Sequence, residues 1–523
     1  MNGAEAAVHA LAGAGVDTVF GLPGAHNLPL WPACEAARIH IVGMRTEQGC
    51  AAAADGYARA TGKVGVALVT TGPGAANTVG AVGEAWAARS PVVVNATDIA
   101  TSLRRPDTYR GVLHECTDQA GLFAPITKAT PTTVGGALQV AMTPPVRPVY
   151  FGIPTDVLTA DATPERTPPE WIHRAADVGP LIAALEASLR PVLWVGGGAR
   201  EAGDEIDAFA RRIGAPVITT YQARGVLAPD HPLLVPAPPH EPDVTALLER
   251  ADLAIVVGSD LDQMNTMQWR LPLPTRRIAV NLDAADATKN YSMSAVIETD
   301  ASIVGLVAGE LGARDPWAPD LRGLGHAIRT RLATDPATRD AVEFLEQTEA
   351  AVPSDATVFA DMCVAGYWLA GHFRVPTRRG LHYPMGWGSL GFALPAAIGA
   401  SVAGPTVAFV GDGGALFGLG ELSALAALGT PCTIVVVDDS GYGMLRYGHP
   451  TTAANELPAV DFVGAAQAFG LPAVRVEGVG TQYAQALAQS IAARTPAVVH
   501  VRARLHPPVT TTPFWPITHQ SPR

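Results

Sequence analysis

Short runs of β-branched and aliphatic residues alternate with alanine-rich stretches along the whole chain. DTVFGLPG (17–24), GVALVTTGPG (65–74), SPVVVNATD (90–98) and RPVYFGIPTD (147–156) each read as a strand running into a turn. AAAADGYARATG (51–62) and AANTVGAVGEAWAAR (75–89) lie between them and read as helices. The same rhythm returns in RPVLWVGGG, APVITTY, ADLAIVVGSD and RRIAVNLD, between 190 and 283, and again in TVFADM, PTVAFVGDGG, CTIVVVDD and AVVHVRAR, between 357 and 504. Continuous apolar strands spaced by helices predict parallel sheets covered on both faces. The proline- and charge-rich stretches 162–171 (ATPERTPPEW) and 312–320 (GARDPWAPD) separate three blocks. The expected fold is therefore α/β, with three consecutive parallel-sheet domains over 1–161, 172–315 and 340–523.

Composition agrees with this picture. The 523 residues are 48% hydrophobic and 16% charged, enough to build several buried cores. No apolar run approaches the roughly 18 residues that a membrane span needs, and the first residues lack a basic segment followed by a long apolar one. A cytoplasmic protein without a membrane partner is expected. The net charge of −12 gives no field to recruit nucleic acid, so anionic ligands must be held by local devices. Five cysteines without CxxC spacing argue against a disulfide framework or a structural zinc site.

The chemistry begins at Gly411-Asp412-Gly413-Gly414, which follows an apolar strand and precedes a helix. Ligands bind at this end of open α/β sheets, and phosphates favour helix N-termini there. Asp439 lies 27 residues further on, at the end of the next expected strand, where it follows Asp438. One strand–helix–strand unit thus brings two carboxylates to the same sheet edge. A hard cation such as Mg²⁺, which takes one or two carboxylates together with phosphate and water oxygens, would satisfy both.

This spacing resembles the signature of thiamine diphosphate enzymes, in which the paired residues are usually Asn-Asn. The resemblance implies Asp412, Asp439 and the carbonyl of Gly441 as Mg²⁺ ligands. It implies Gly411, Gly413, Gly414, Tyr442, Gly443 and Met444 around the diphosphate. RTEQGCAAAADGYARATGKVGVALVTTGPGAANT (45–78) is similar to the pyrimidine-binding domain of acetohydroxyacid synthases. Glu47 then matches the catalytic glutamate that exchanges a proton with the aminopyrimidine, and small, unionised neighbours such as Cys50 to Ala54 suit a desolvated carboxyl. HYPMGWGSLGFALPAAIGA (382–400) resembles the segment around the bend of the cofactor, with Gly388 as backbone acceptor and Leu390 as the apolar prop. The three blocks become pyrimidine-binding, central and diphosphate-binding domains. A homodimer or homotetramer with sites at the interface is implied, Glu47 acting across it. The central domain carries FAD or a nucleotide in some relatives; three glycines after a strand at 196–198 are too little to imply one, and an empty central domain is expected here.

Substrate choice rests on fewer residues. The Gly-Ala-His at 24–26 is comparable to that of benzaldehyde lyase and makes His26 a candidate proton carrier, with His114 a second. SGYGMLRYGH (440–449) matches the helix that closes the family's pocket. Leu28, Leu445 and Gly448 are the expected pocket residues, and glycine at 448 widens the space for an acyl group. The expected reaction is decarboxylation of a 2-oxo acid, carboligation to a 2-hydroxyketone, or both. A benzaldehyde lyase-like enzyme working on acyloins and aldehydes without decarboxylation is the alternative, and a flavin-linked oxidase a third. Glu47 argues against a subunit without turnover.

Overall fold

A computed structural model describes residues 1–105, 107–163, 176–447 and 452–511. The first sheet contains β1 (Thr18–Gly21), β2 (His40–Gly43), β3 (Gly65–Val69), β4 (Val92–Asp98) and β5 (Val149–Pro154), in the order β2-β1-β3-β4-β5. The second contains β6 (Pro191–Val195), β7 (Val217–Thr219), β8 (Leu253–Val257), β9 (Arg277–Asn281) and β10 (Ala295–Glu298), in the order β10-β9-β8-β6-β7. The third contains β11 (Thr357–Ala360), β12 (Leu381–His382), β13 (Thr406–Gly411), β14 (Cys432–Asp438), β15 (Ala473–Glu477) and β16 (Ala497–Arg502), in the order β12-β11-β13-β14-β16-β15. Every neighbouring pair of these strands is parallel, as expected for this fold class. Among the described residues no helix is long and apolar enough to cross a membrane.

The apolar runs of the sequence correspond to the inner strands and to β5 and β7. The strands without such a run, β2, β10, β12 and β15, all lie at sheet edges. An edge strand has fewer neighbours to bury it, so β15 buries only Val476 of its five residues and β12 is only two residues long. Residues 164–171 of the expected linker lie outside the described residues.

Two helices join the first and third sheets. The helix Glu47–Thr61 starts at Thr46, whose hydroxyl accepts from the Gly49 amide at 2.9 Å, and ends at Gly62 in the left-handed conformation. Its alanine face, Cys50 to Ala54, is buried against the helix Ala393–Ala400. The two backbones come so close that a Cβ at Gly56 would overlap the Ala396 carbonyl, and one at Gly399 the Ala53 carbonyl. The small residues at 50–54 therefore serve this crossing. A second shared core, with Trp194, Tyr221, Phe344 and Trp368, joins the second and third sheets.

Candidate active site

β13 and β14 are adjacent and in register, so the strand ends set Asp412 and Asp439 at one edge of the third sheet. They line a cavity of about 150 Å³ together with Met362, Leu390, Gly441 and Met444. Gly411, Gly413, Gly414, Tyr442, Gly443 and Leu445 also line it. The glycines hold this cradle open: a Cβ at Gly414 would overlap a carboxylate oxygen of Asp361, and one at Gly443 would overlap Asp439. The Gly441 amide donates to Asp412 Oδ2 at 2.7 Å. Burial, followed by the charges of Asp439 and Asp438, pushes the Asp412 carboxyl up to about 7. Burial raises Asp439 as well, against the pull of Arg446.

Arg446 supplies the positive charge that this acidic edge needs. Its guanidinium is 3.1 Å from Asp439 and 2.9 Å from Glu456, with a side chain only 12% exposed. Asp438 has a different partner and a different task. It is buried beside His500, whose Nε2 lies 2.9 Å away, and it accepts from the Ser440 amide at 2.9 Å, fixing the turn. Among the described residues no cluster of three or more His, Cys, Asp or Glu side chains is placed to hold a metal. A cation at Asp412 and Asp439 would draw its remaining ligands from backbone, cofactor and water oxygens, which suits Mg²⁺.

The loop before helix Ala393–Ala400 borders this cradle. Gly388 has a left-handed φ of +78°, which a residue with a side chain rarely adopts, and a Cβ there would press on Met362. The buried carboxylate of Asp361, at the end of β11, accepts from the Gly391 and Phe392 amides at 2.8 and 3.1 Å. Burial raises that carboxyl to about 6. From the other side Ser389 donates to Glu84, which shares Arg59 with Asp55.

Glu47, His26 and His114 gather at the carboxyl edge of the first sheet. Asn77 donates to Glu47 Oε2 at 3.1 Å, and Gly74 lies beside Oε1. In the single chain Glu47 is partly buried. Glu421, from the third domain, caps this segment by accepting from the Arg45 and Thr46 amides at 3.0 and 2.9 Å. His26 bonds to the Thr71 hydroxyl at 2.8 Å and meets the ring of His114 edge-on, with centroids 5.1 Å apart. His114 has a left-handed φ of +68°, a strained conformation for a residue with a side chain.

None of these first-sheet residues lines the Asp412 cavity, whose walls come entirely from residues 362–505. Leu28 and Leu445 are each about half exposed in the single chain, at 53% and 52%. Among the described residues of the expected closing helix, 440–447, the helical element is a single 3-10 turn, Gly443–Arg446, whose Arg446 side chain pairs with Asp439 and Glu456. Gly448 lies outside the described residues. Asp361, Glu421 and Thr71 escape sequence reasoning for different reasons. Asp361 carries a usable signal, an acid ending an apolar strand, as Asp412 does. Glu421 carries none, because its partners are more than 370 positions away.

A second and larger cleft, of about 360 Å³, opens at the ends of β6, β8 and β9 and includes Gly197 and Gly198. Three of its acids are ion-paired, Asp260 with Arg89 and Lys289, Asp286 with Arg89 and Lys289, and Glu201 with Arg379, while Asp262 accepts from the Met264 and Asn265 amides.

Residues 1–122 match the model of the thiamine pyrophosphate enzyme N-terminal binding domain, residues 178–307 the central domain and residues 361–501 the C-terminal binding domain. The chain is 34% identical over 478 residues to a protein of Pseudomonas aeruginosa named probable 2-ketoarginine decarboxylase, covering 85% of this chain and 83% of that one. It is 29% identical over 524 residues to a probable acetolactate synthase large subunit of Methanocaldococcus jannaschii, covering 91% and 88%. Among solved structures, a thiamine diphosphate-dependent 4-hydroxybenzoylformate decarboxylase of Rhodococcus jostii superposes with a TM-score of 0.82 at 24% identity, over 97% of this chain and 99% of that one. The chain belongs to the thiamine diphosphate-dependent decarboxylase and acetolactate synthase family.

Proposed function

We propose that this enzyme decarboxylates a 2-oxo acid with thiamine diphosphate and Mg²⁺, and can pass the acyl unit to an aldehyde or a second 2-oxo acid. The observation that carries this reading is the pair Asp412 and Asp439 at one sheet edge above a glycine-walled cradle, with Glu47 set apart on another sheet. Asp412, Asp439 and the Gly441 carbonyl would hold the metal. Gly411, Gly413, Gly414 and Gly443 leave backbone space for the diphosphate, with Tyr442 and Met444 along its edge, and Gly388 and Leu390 flank the ring end. The bound cofactor supplies the carbon nucleophile and the electron sink that accepts the pair left behind as CO₂ departs. Glu47 would exchange a proton at its carboxyl oxygen, which accepts from Asn77 and is oriented by it. Met362, Leu390, Met444, Leu445 and Leu28 exclude water and favour an apolar acyl group.

Because the two sets of residues line different surfaces of one chain, the working site is completed by a second copy, in a homodimer or homotetramer. The same reading sets domains at 1–161, 172–315 and 340–523, a cytoplasmic location, and a central cleft without flavin.

Product analysis tests the reaction. Pyruvate, benzoylformate, 2-ketoarginine, benzaldehyde and benzoin are offered with and without cofactor and Mg²⁺. Cofactor- and Mg²⁺-dependent release of CO₂ from an oxo acid is expected. Benzoin cleavage with no CO₂ from any acid would favour the lyase reading, which His26 in its Gly-Ala-His turn supports. A yellow protein with a flavin spectrum would favour the oxidase reading.

A further inference from the structure

His26 is held by a chain of two buried hydroxyls. Thr71, just after β3, and Thr97, in β4, are both fully buried. Their Oγ1 atoms are 2.9 Å apart, and Thr71 Oγ1 is 2.8 Å from His26 Nδ1. Thr71 and its β-branched side chain are pinned from both sides. The next amide, Gly72, donates to Gln119 Oε1 at 2.6 Å, and Gln119 Nε2 donates to the Thr97 carbonyl at 2.9 Å. The His114 carbonyl packs directly against Gly72.

Each hydroxyl has one hydrogen, and a buried hydrogen without an acceptor is costly. Among the described residues, the hydrogen-bond partner of Thr97 Oγ1 is Thr71 Oγ1. Thr97 therefore gives its hydrogen to Thr71. Thr71, already accepting, gives its own to His26 Nδ1. That leaves Nδ1 bare and puts the hydrogen of a neutral ring on Nε2. Burial, followed by the neighbouring His114, lowers the proton affinity of His26, in keeping with a neutral ring.

We infer that Thr71 is a positioning residue that holds His26 as its Nε2–H tautomer, so that His26 meets the substrate oxygen as a hydrogen-bond donor. This rests on the reading of His26 as a substrate-facing group. It assigns His26 one direction of action, donation to a carbonyl or carboxylate oxygen, and makes Thr71 part of what sets substrate orientation.

Nitrogen NMR of the full-length protein, labelled with ¹⁵N-histidine and loaded with thiamine diphosphate and Mg²⁺, reads the tautomer directly. His26→Asn identifies the signal among the 14 histidines. The expected result is a protonated Nε2 and a bare, hydrogen-bonded Nδ1. In Thr71→Val the Nδ1 signal moves to its unbonded position and kcat/KM falls roughly 10–100-fold, as when a supporting hydrogen bond is lost, and Thr71→Ser restores both. Thr97→Val keeps the Nε2–H tautomer, because Thr71 can still donate. A hydrogen on Nδ1 in the parent protein, or a flip of tautomer in Thr97→Val, overturns the inference, even if Thr71→Val does not fold. The signals do not depend on turnover. A protein that acts on no oxo acid yet shows this tautomer pattern would defeat the proposed reaction and leave the positioning role standing.

Discussion

A carboxylate that loses water needs a proton or a cation. At the edge of the third sheet the two acids divide these solutions. Asp412 keeps a high proton affinity, and Asp439 leans on Arg446. Replacing Asp439 by Asn removes the charge that both Arg446 and a metal would use. Cofactor binding by Asp439→Asn should depend less on Mg²⁺ than in the parent, measured by calorimetric titration over a range of Mg²⁺ concentrations. An unchanged dependence would count against Asp439 as a ligand. Asp361 gives a prediction in pH. Burial raises its folded carboxyl to about 6, from an ordinary aspartate value of about 4. Its contribution to stability is thus full below the unfolded value and is lost as pH rises through the folded one. The stability advantage of the parent over Asp361→Asn should shrink between about pH 4 and about pH 7 in denaturant titrations. A difference that stays flat across this range would show that Asp361 does not titrate there. The positions of Asp412 and Asp439 were legible because a strand end and a fixed spacing are local features of the chain. The hydrogen bonds of Thr71 to His26, and of Asp438 to His500, were not, since each joins neighbouring strands or loops far apart in sequence.

At the scale of elements, the crossing of Glu47–Thr61 with Ala393–Ala400 is a matter of backbone distance. Gly56 and Gly399 allow two helices to meet with no side chain between their closest turns. Gly399→Val would force them apart, at a cost of about 1–3 kcal/mol from overpacking. The expected outcome is a lower unfolding midpoint together with weaker turnover, since the Glu47 helix moves. A variant as stable as the parent would mean that the crossing can relax. The inner strands were legible because a parallel strand covered on both faces must be apolar throughout, as β8 is. Four of the six edge strands, β2, β10, β12 and β15, were not, because an edge has no such requirement. The stretch 440–449 was read as a helix from its resemblance, and among its described residues the helical element is the four-residue turn Gly443–Arg446.

At the scale of the whole molecule, Glu47 lies outside the cavity that Asp412 and Asp439 line, and the proposed function requires both sets of residues in one site. Glu47→Gln and Asp412→Asn should each abolish turnover when every chain carries the change. Mixed, unfolded and refolded at equal amounts, they should recover about a quarter of parental activity. Half of the pairs are then mixed, and one of the two sites in each mixed pair is intact. Activity assays after mixing, with subunit exchange followed by native mass spectrometry, check this. No recovery despite exchange would place both residues in one chain's site. The three-block α/β layout was legible from rhythm alone, whereas the contacts between blocks were not, because helix-to-helix glycines and the Glu421 cap have no pattern in the linear chain.

Glu421 has a consequence for anyone recombining this protein with its relatives. It ties the start of the Glu47 helix to the segment that follows Asp412, through two amides and a hydroxyl of Thr46. A chimera that imports residues 1–161 from another source therefore inherits a foreign turn facing a native clamp. Its success will depend less on the seams between domains than on whether the incoming turn presents Thr46 and its amide at the same height. The practical unit of exchange is then the first domain together with residues 393–421, two pieces distant in the chain that behave as one part.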